Sequence, residues 1–138
     1  MKTQNQNRII PGSYEDLLES TALVLVATIS PDDEPQNDPV WLGWDGEHLK
    51  FSQTKTHQKY RNLQRDPRIA FSIVDPKNSY RYLEIRGEIV RVDEDPHLYF
   101  INFMAKKYLS LDKHPNHKPG DERVVVFVRP EHTTQMGG

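Results

Sequence analysis

The stretch that decides the fold is LKFSQTKTHQKYRNLQRDPRIAFSI, residues 49–73. Leu49 and Phe51 alternate with Lys50 and Ser52, the two-residue period of a half-buried strand. Thr54-Lys55-Thr56 breaks that alternation. Thr56 is suited to cap a helix over residues 57–65. Asp66-Pro67 ends the helix, because the residue before a proline is pushed out of the helical region. Residues 68–74 alternate again and are rich in β-branched and aromatic side chains, which predicts a second strand.

A strand, a polar loop and a helix start in that order make a corner with chemical consequences. The first N–H groups of a helix lack internal partners and lie at the positive end of its dipole, so residues 54–57 form an anion site in outline. Thr54, Thr56 and Lys55 stand in the corner, and Lys59 is close enough to reach back. A phosphate or phosphodiester suits it. The same composition also describes an exposed helix on which Lys55, Lys59, Arg61 and Arg65 are plain solvated charges.

Upstream, QNDPVWLGWD (residues 36–45) reads as a strand that Pro39 confines to a sheet edge or a bulge. Trp41 and Trp44 point to opposite faces of a regular strand, one toward the core and the other toward a pocket or an interface. Asp45-Gly46 is a hairpin signal into the Leu49 strand. Before it, ALVLVATI (residues 22–29) is continuously apolar and is expected to be buried on both faces. A short helix is expected to start at Ser13, with Asp16 completing a capping box and Leu17 and Leu18 facing the core.

Downstream, SYRYLEIRGEIVRV (residues 79–92) predicts a long strand. Leu83, Ile85 and Ile89 share one face; Tyr82, Glu84, Arg86 and Glu88 share the other. Gly87 marks a bulge or a close backbone approach. Residues 93–96 open a helix to about residue 109, with acidic side chains in its first turn and Lys106-Lys107 near its end. Its apolar stripe is Leu98, Ile101, Phe103 or Phe100, Met104 and Ala105. A polar loop over 110–120 leads to a buried strand, residues 122–130, and a tail from His132. Residues 1–7 are expected to fray and 1–10 to be flexible. At least six hairpin-connected strands with small helices predict a mainly β, closed antiparallel barrel spanning 1–138 as one domain.

Composition narrows the function. With no cysteine in the chain, disulfides, thiol catalysis and cysteine-bound metals are excluded. A net charge of −2 does not argue for the whole chain being a nucleic-acid binder. MKTQNQNRIIPG has no apolar signal region, and the apolar run at 22–27 is too short to span a membrane, so no membrane partner and a cytoplasmic location are expected. His114 and His117 are the only closely spaced histidines, and read as solvated loop residues more readily than as metal ligands. No GxSxG, GxGxxG or Walker loop is present. An oligonucleotide-binding barrel using Trp41, Trp44, Tyr80, Tyr82, Arg81 and Arg86 for stacking is a rival, weakened by the acidic balance and by Glu84 and Glu88.

PVWLGWDGEHLKFSQTKTHQKYRNLQRDPRIAFSI, YRYLEIRGEIVRVDED and GDERVVVFVRPEHTTQMG together resemble the pyridoxamine 5'-phosphate oxidase-like, FMN-binding split-barrel superfamily, over nearly the whole chain from Tyr14. The details are most similar to its flavin/deazaflavin branch, which uses coenzyme F-420. The resemblance implies a six-stranded split barrel, a homodimer and a cofactor groove between subunits. Ser52, Gln53, Thr54, Lys55, Lys59 and Asn62 match the phosphate-binding corner, and Val40 and Trp41 the strand behind the tricyclic ring. The other subunit is expected to supply Tyr82, Arg81 and His132. Pyridoxamine 5'-phosphate oxidases proper carry an arginine and a lysine on the strand before the Asp-Gly hairpin. DPVWLGWDG has neither, so pyridoxal phosphate synthesis is not expected. The resemblance implies hydride transfer from F-420 to a small electrophile such as a conjugated C=C or a quinone, with no obligatory acid or base from the protein. An FMN-dependent enzyme, or an FMN-binding protein of the same fold, is the alternative.

Overall fold

The structure is a computed structural model and describes residues 9–137. The expectation for residues 1–7 lies outside the described residues. Ile10, expected in the flexible lead, is instead buried in the core at 1% exposure.

A 3-10 turn at Gly12–Tyr14 leads into α1 (Glu15–Glu19), then β1 (Val24–Ile29), β2 (Pro35–Val40), β3 (Gly43–Trp44) and β4 (Leu49–Thr54). These are followed by α2 (Gln58–Arg65), β5 (Arg68–Val74), β6 (Tyr82–Glu94), α3 (Tyr99–Leu109) and β7 (Arg123–Met136). The seven strands form one sheet in the order β2-β1-β5-β6-β7-β4-β3, with every neighbouring pair antiparallel. This is the mainly β, antiparallel split-barrel fold that was expected, with one strand more. The hydrogen-bonded ladder stays open instead of closing, because the strand expected over 36–45 breaks at Trp41-Leu42. The two-residue β3 that follows pairs only with β4 and leaves β2 as the opposite edge.

The corner of residues 49–73 is built as the alternation dictates. Leu49, Phe51 and Gln53 face inward from β4, and Ile69, Phe71 and Ile73 from β5. The Phe51 and Phe71 rings meet nearly edge-on at 6.0 Å, 72°. The helix starts one residue later than expected. His57 occupies the N-cap position without a side-chain hydrogen bond, so Thr56 does not cap it. No side-chain cap forms at Ser13 either, where the 3-10 turn intervenes before α1.

Strand β1 buries only one face. Val24, Val26 and Thr28 are buried, whereas Leu23 is 65% exposed and Leu25 37% exposed. The continuous apolar run therefore has a face that this single chain does not cover. At the far end, β7 does not stop at Pro130. Residues 132–136, expected as a tail, pair with the start of β6, from Arg86↔His132 to Tyr82↔Met136. Their residues are mostly polar and mostly exposed, so they carry no hydrophobic signal, although the β6 residues opposite Thr133 and Gln135, Ile85 and Leu83, are core.

Between Arg86 and Gly87 the β6–β7 register shifts. A Cβ on Gly87 would lie 2.2 Å from the Arg129 carbonyl oxygen, so the bulge requires glycine for close approach. Asp93 and Glu94 extend β6 and are not part of a helix. Asp95 opens α3 instead: its carboxylate accepts the N–H groups of Tyr99 at 3.0 Å and Phe100 at 3.2 Å. The apolar stripe follows the expected spacing, with Phe100 and not Phe103 on the inner face. Ile101, Met104 and Ala105 are buried and Phe103 is 66% exposed; Phe100 packs toward Gly43. Among the described residues no helix is long and apolar enough to cross a membrane.

Candidate functional site

A cleft of about 410 Å³ opens where β2, the end of β4, the start of α2, α3 and the start of β7 converge. Its apolar wall is Leu23, Val40, Trp41, Ile101 and Met104. Trp41 is fixed from behind. Its ring stacks on Tyr108 at 5.5 Å with a 10° interplanar angle, and His114 meets it edge-on at 5.5 Å. Tyr108 in turn accepts the Leu42 N–H at 3.0 Å through its hydroxyl, and burial pushes its phenol pKa up. Lys107 donates to the Leu18 and Leu42 carbonyls at 2.9 and 2.8 Å, and burial lowers its ammonium pKa. The break between β2 and β3 is thus anchored by α3, and the anchor holds the indole in place.

The polar side of the cleft has an uncommon property. Gln53 Oε1, Thr54 Oγ1, His114 Nδ1 and Arg123 Nε are buried without a hydrogen-bond partner, and all four residues line the cleft. Gln53 and Thr54 are only 3% and 5% exposed. Buried polar atoms are nearly always satisfied, so four orphans around one cavity describe a binding site for a polar ligand.

Of the expected site residues, the structure gathers Val40, Trp41, Ser52, Gln53, Thr54 and Lys59 in this cleft. Lys59 departs from its expected exposure: it is 4% exposed and its ammonium is 2.9 Å from Asp38 Oδ2. Lys55 does not line the cleft. It pairs with Glu94 at 2.7 Å and lies 3.9 Å from Glu122, and the Glu94 hydrogen bond raises its pKa. Asn62 is fully buried and knits α2 to the sheet, donating to Thr28 Oγ1 at 3.0 Å and to Gln36 Oε1 at 2.8 Å.

Arg81, Tyr82 and His132 lie outside the cleft, near the start of β6 and the end of β7. The Arg81 guanidinium is committed to Asp16 at 2.6 Å, Asp75 at 3.0 Å and the Ser13 carbonyl at 2.7 Å. These hydrogen bonds push its pKa further up and fasten α1 to the β5–β6 turn. His57, at the end of the expected 54–57 corner, lines the cleft; sequence reasoning missed Asp38, His114 and Arg123 as cleft residues. No spacing announces them, because they come from three separate segments. His114 is not a solvated loop residue. Burial, followed by the charges of Arg123 and His117, lowers its pKa.

Residues 10–137 match the family described as pyridoxamine 5'-phosphate oxidase, and the chain belongs to that family. A solved structure named F-420 reductase is 39% identical, with a TM-score of 0.82 over 91% of this chain and 98% of that one. A conserved hypothetical protein from Mycobacterium tuberculosis is 23% identical, with a TM-score of 0.67 over 94% of this chain and 87% of that one. HutZ, the heme storage protein from Vibrio cholerae, is 14% identical, with a TM-score of 0.65 over 91% of this chain and 93% of that one. The last two share the fold alone. No match was found among the curated proteins.

Proposed function

We propose that this chain is a coenzyme F-420-dependent oxidoreductase that delivers hydride to a small electrophilic acceptor, a conjugated C=C or a quinone-like molecule. The observation that carries the reading is the set of unpartnered buried atoms facing an apolar wall. Gln53 Oε1 and Thr54 Oγ1 suit the polar edge of a tricyclic ring, with Val40, Trp41 and Met104 against its face and water kept out. The start of α2 beside His57 suits the phosphodiester, with Lys59 as its cation. Bound there, the deazaflavin supplies the hydride.

The preference over FMN rests on two points. FMN ends in a dianionic monoester, best held by several cations including a bidentate arginine, and the strand DPVWLGWDG offers none. The structure named F-420 reductase is also the one that shares 39% identity over almost the full length. In this reading a second copy of the chain covers Leu23 and Leu25. It brings its Tyr82 and His132 toward the groove, with Arg81 holding that end rigid. Lys55 reaches the phosphate by leaving Glu94.

The test is a side-by-side titration of cofactor-stripped protein with FMN, FAD and F-420. F-420 bound at least tenfold tighter than FMN is the expected result. FMN bound tenfold tighter than F-420, or protein purified yellow with FMN at full occupancy, would move the function to an FMN-dependent enzyme.

A further inference from the structure

Three cationic side chains at or near the cleft differ in one respect. Lys59 is neutralised by Asp38 at 2.9 Å, and Lys55 by Glu94 at 2.7 Å. Arg123 lines the cleft and makes no ion pair among the described residues. Its one side-chain hydrogen bond there runs from Nη1 to the neutral Ser52 hydroxyl at 3.3 Å, and its Nε is buried with no partner. Asp95 acts on it only through space, because the Asp95 carboxylate is occupied by the first turn of α3. Asp121 likewise acts at a distance. Burial disfavours the guanidinium charge, yet arginine cannot shed its proton in a protein. A half-buried guanidinium without a counter-ion costs free energy that an incoming anion removes.

A second donor stands beside it. His114 lines the same cleft with a buried, unpartnered Nδ1. Burial, then the charges of Arg123 and His117, lowers its pKa, and an imidazole in either protonation state has at least one N–H to give. The Trp41 ring, which His114 contacts edge-on, forms the adjoining apolar surface.

We propose that Arg123 and His114 form an anion-recognition subsite for the acceptor, so that the preferred substrates are conjugated electrophiles carrying a carboxylate. This rests on the function proposed above and narrows its substrate class. Arg123 is in this view a specificity-determining residue that binds substrate and leaves the cofactor to the β4–α2 corner.

The test is calorimetric titration of the purified protein with trans-cinnamate and with its neutral isostere cinnamamide. Cinnamate is expected to bind at least about tenfold tighter, the worth of a charge-assisted contact. Arg123→Met is expected to abolish that preference, leave cinnamamide unchanged and leave the melting temperature equal or higher, since it removes an uncompensated cation. Arg123→Lys is expected to retain part of the preference. Equal affinities in the unmodified protein, or a preference that survives Arg123→Met, would overturn the subsite. So would a tenfold loss of F-420 affinity in Arg123→Met, which would assign the guanidinium to the cofactor. If F-420 fails to bind the unmodified protein while the cinnamate preference holds, the proposed cofactor falls and the subsite stands.

Discussion

Lys59 and Asp38 form an ion pair of 2.9 Å across the cleft, between the first turn of α2 and the edge strand β2. The lysine is buried and its ammonium also lies 5.5 Å from the Phe51 ring. Anion binding by Lys59 therefore competes with Asp38. Asp38→Asn should raise cofactor affinity severalfold while lowering stability by about 1–2 kcal/mol, because it leaves a buried ammonium with a neutral partner. Lys59→Ala should weaken cofactor binding about tenfold and also destabilise. Fluorescence titration with F-420 and urea melts of both variants check this. An unchanged affinity in both would remove Lys59 from the phosphate site.

The Gly87 bulge gives a sharp steric contrast. A Cβ there meets backbone at 2.2 Å, whereas one at Gly43 meets only the ends of Met104 and Phe100 at 3.4–3.5 Å. Gly87→Ala should destabilise by about 3 kcal/mol or prevent folding. Gly43→Ala should stay within about 1 kcal/mol of the unmodified protein, because flexible side chains can yield. Urea midpoints decide, and similar values for the two would refute the close-approach account.

Tyr108 separates support of Trp41 from support of the backbone. Tyr108→Phe keeps the stack and removes the acceptor of the Leu42 N–H, for a cost of about 1 kcal/mol with cofactor affinity unchanged. Tyr108→Ala loses both, and cofactor binding should fall severalfold as the indole loosens. Equal cofactor affinity in the two variants would show that the stack does not position Trp41.

Acid sensitivity should trace in part to Asp66. The Arg68 side chain, then its backbone N–H, holds the Asp66 carboxyl at about 2, below the ordinary 3.8. A depressed carboxyl pKa stabilises the fold above the unfolded value, and that contribution fades as pH falls from about 5 toward 2. Arg68 is largely exposed, so solvent screening keeps the contribution small. The stability gap between the unmodified protein and Asp66→Asn should be constant near neutrality and close below about pH 4. A gap independent of pH would refute the assignment.

The oligomeric state is open to direct measurement. With Leu23 and Leu25 uncovered beside the cleft, sedimentation at micromolar concentration should show a dimer, and Leu25→Glu should shift it to monomer. A stable monomer in the unmodified protein would remove the shared groove from the proposal.

What was legible in the sequence was mostly local. The corner at residues 49–73 announced itself by a period switch and a proline stop. Asp45-Gly46 and Pro39 marked the hairpin and the edge through backbone chemistry alone. The misplaced ends share a cause: residues 132–136 and Asp93-Glu94 are strand only because a distant partner ladders with them. The cleft was half legible. Val40 and Trp41 stand at the end of β2 and Ser52, Gln53 and Thr54 at the end of β4, two segments with their own local patterns, but Arg123 reaches Ser52 across 71 residues, a separation that no pattern of spacing records. Lys59 looked exposed because its neutralising partner is 21 residues upstream.

The edge strand β2 carries a further consequence. Pro35 and Pro39 stand four residues apart, opposite Ile29 and Leu25 of β1, and neither has an N–H to offer a neighbouring chain. An open sheet with a bare edge invites copies to add strand upon strand. Here the β2 end of the open ladder is a poor template, so the split that leaves room for a ligand does not turn that edge into a docking strand.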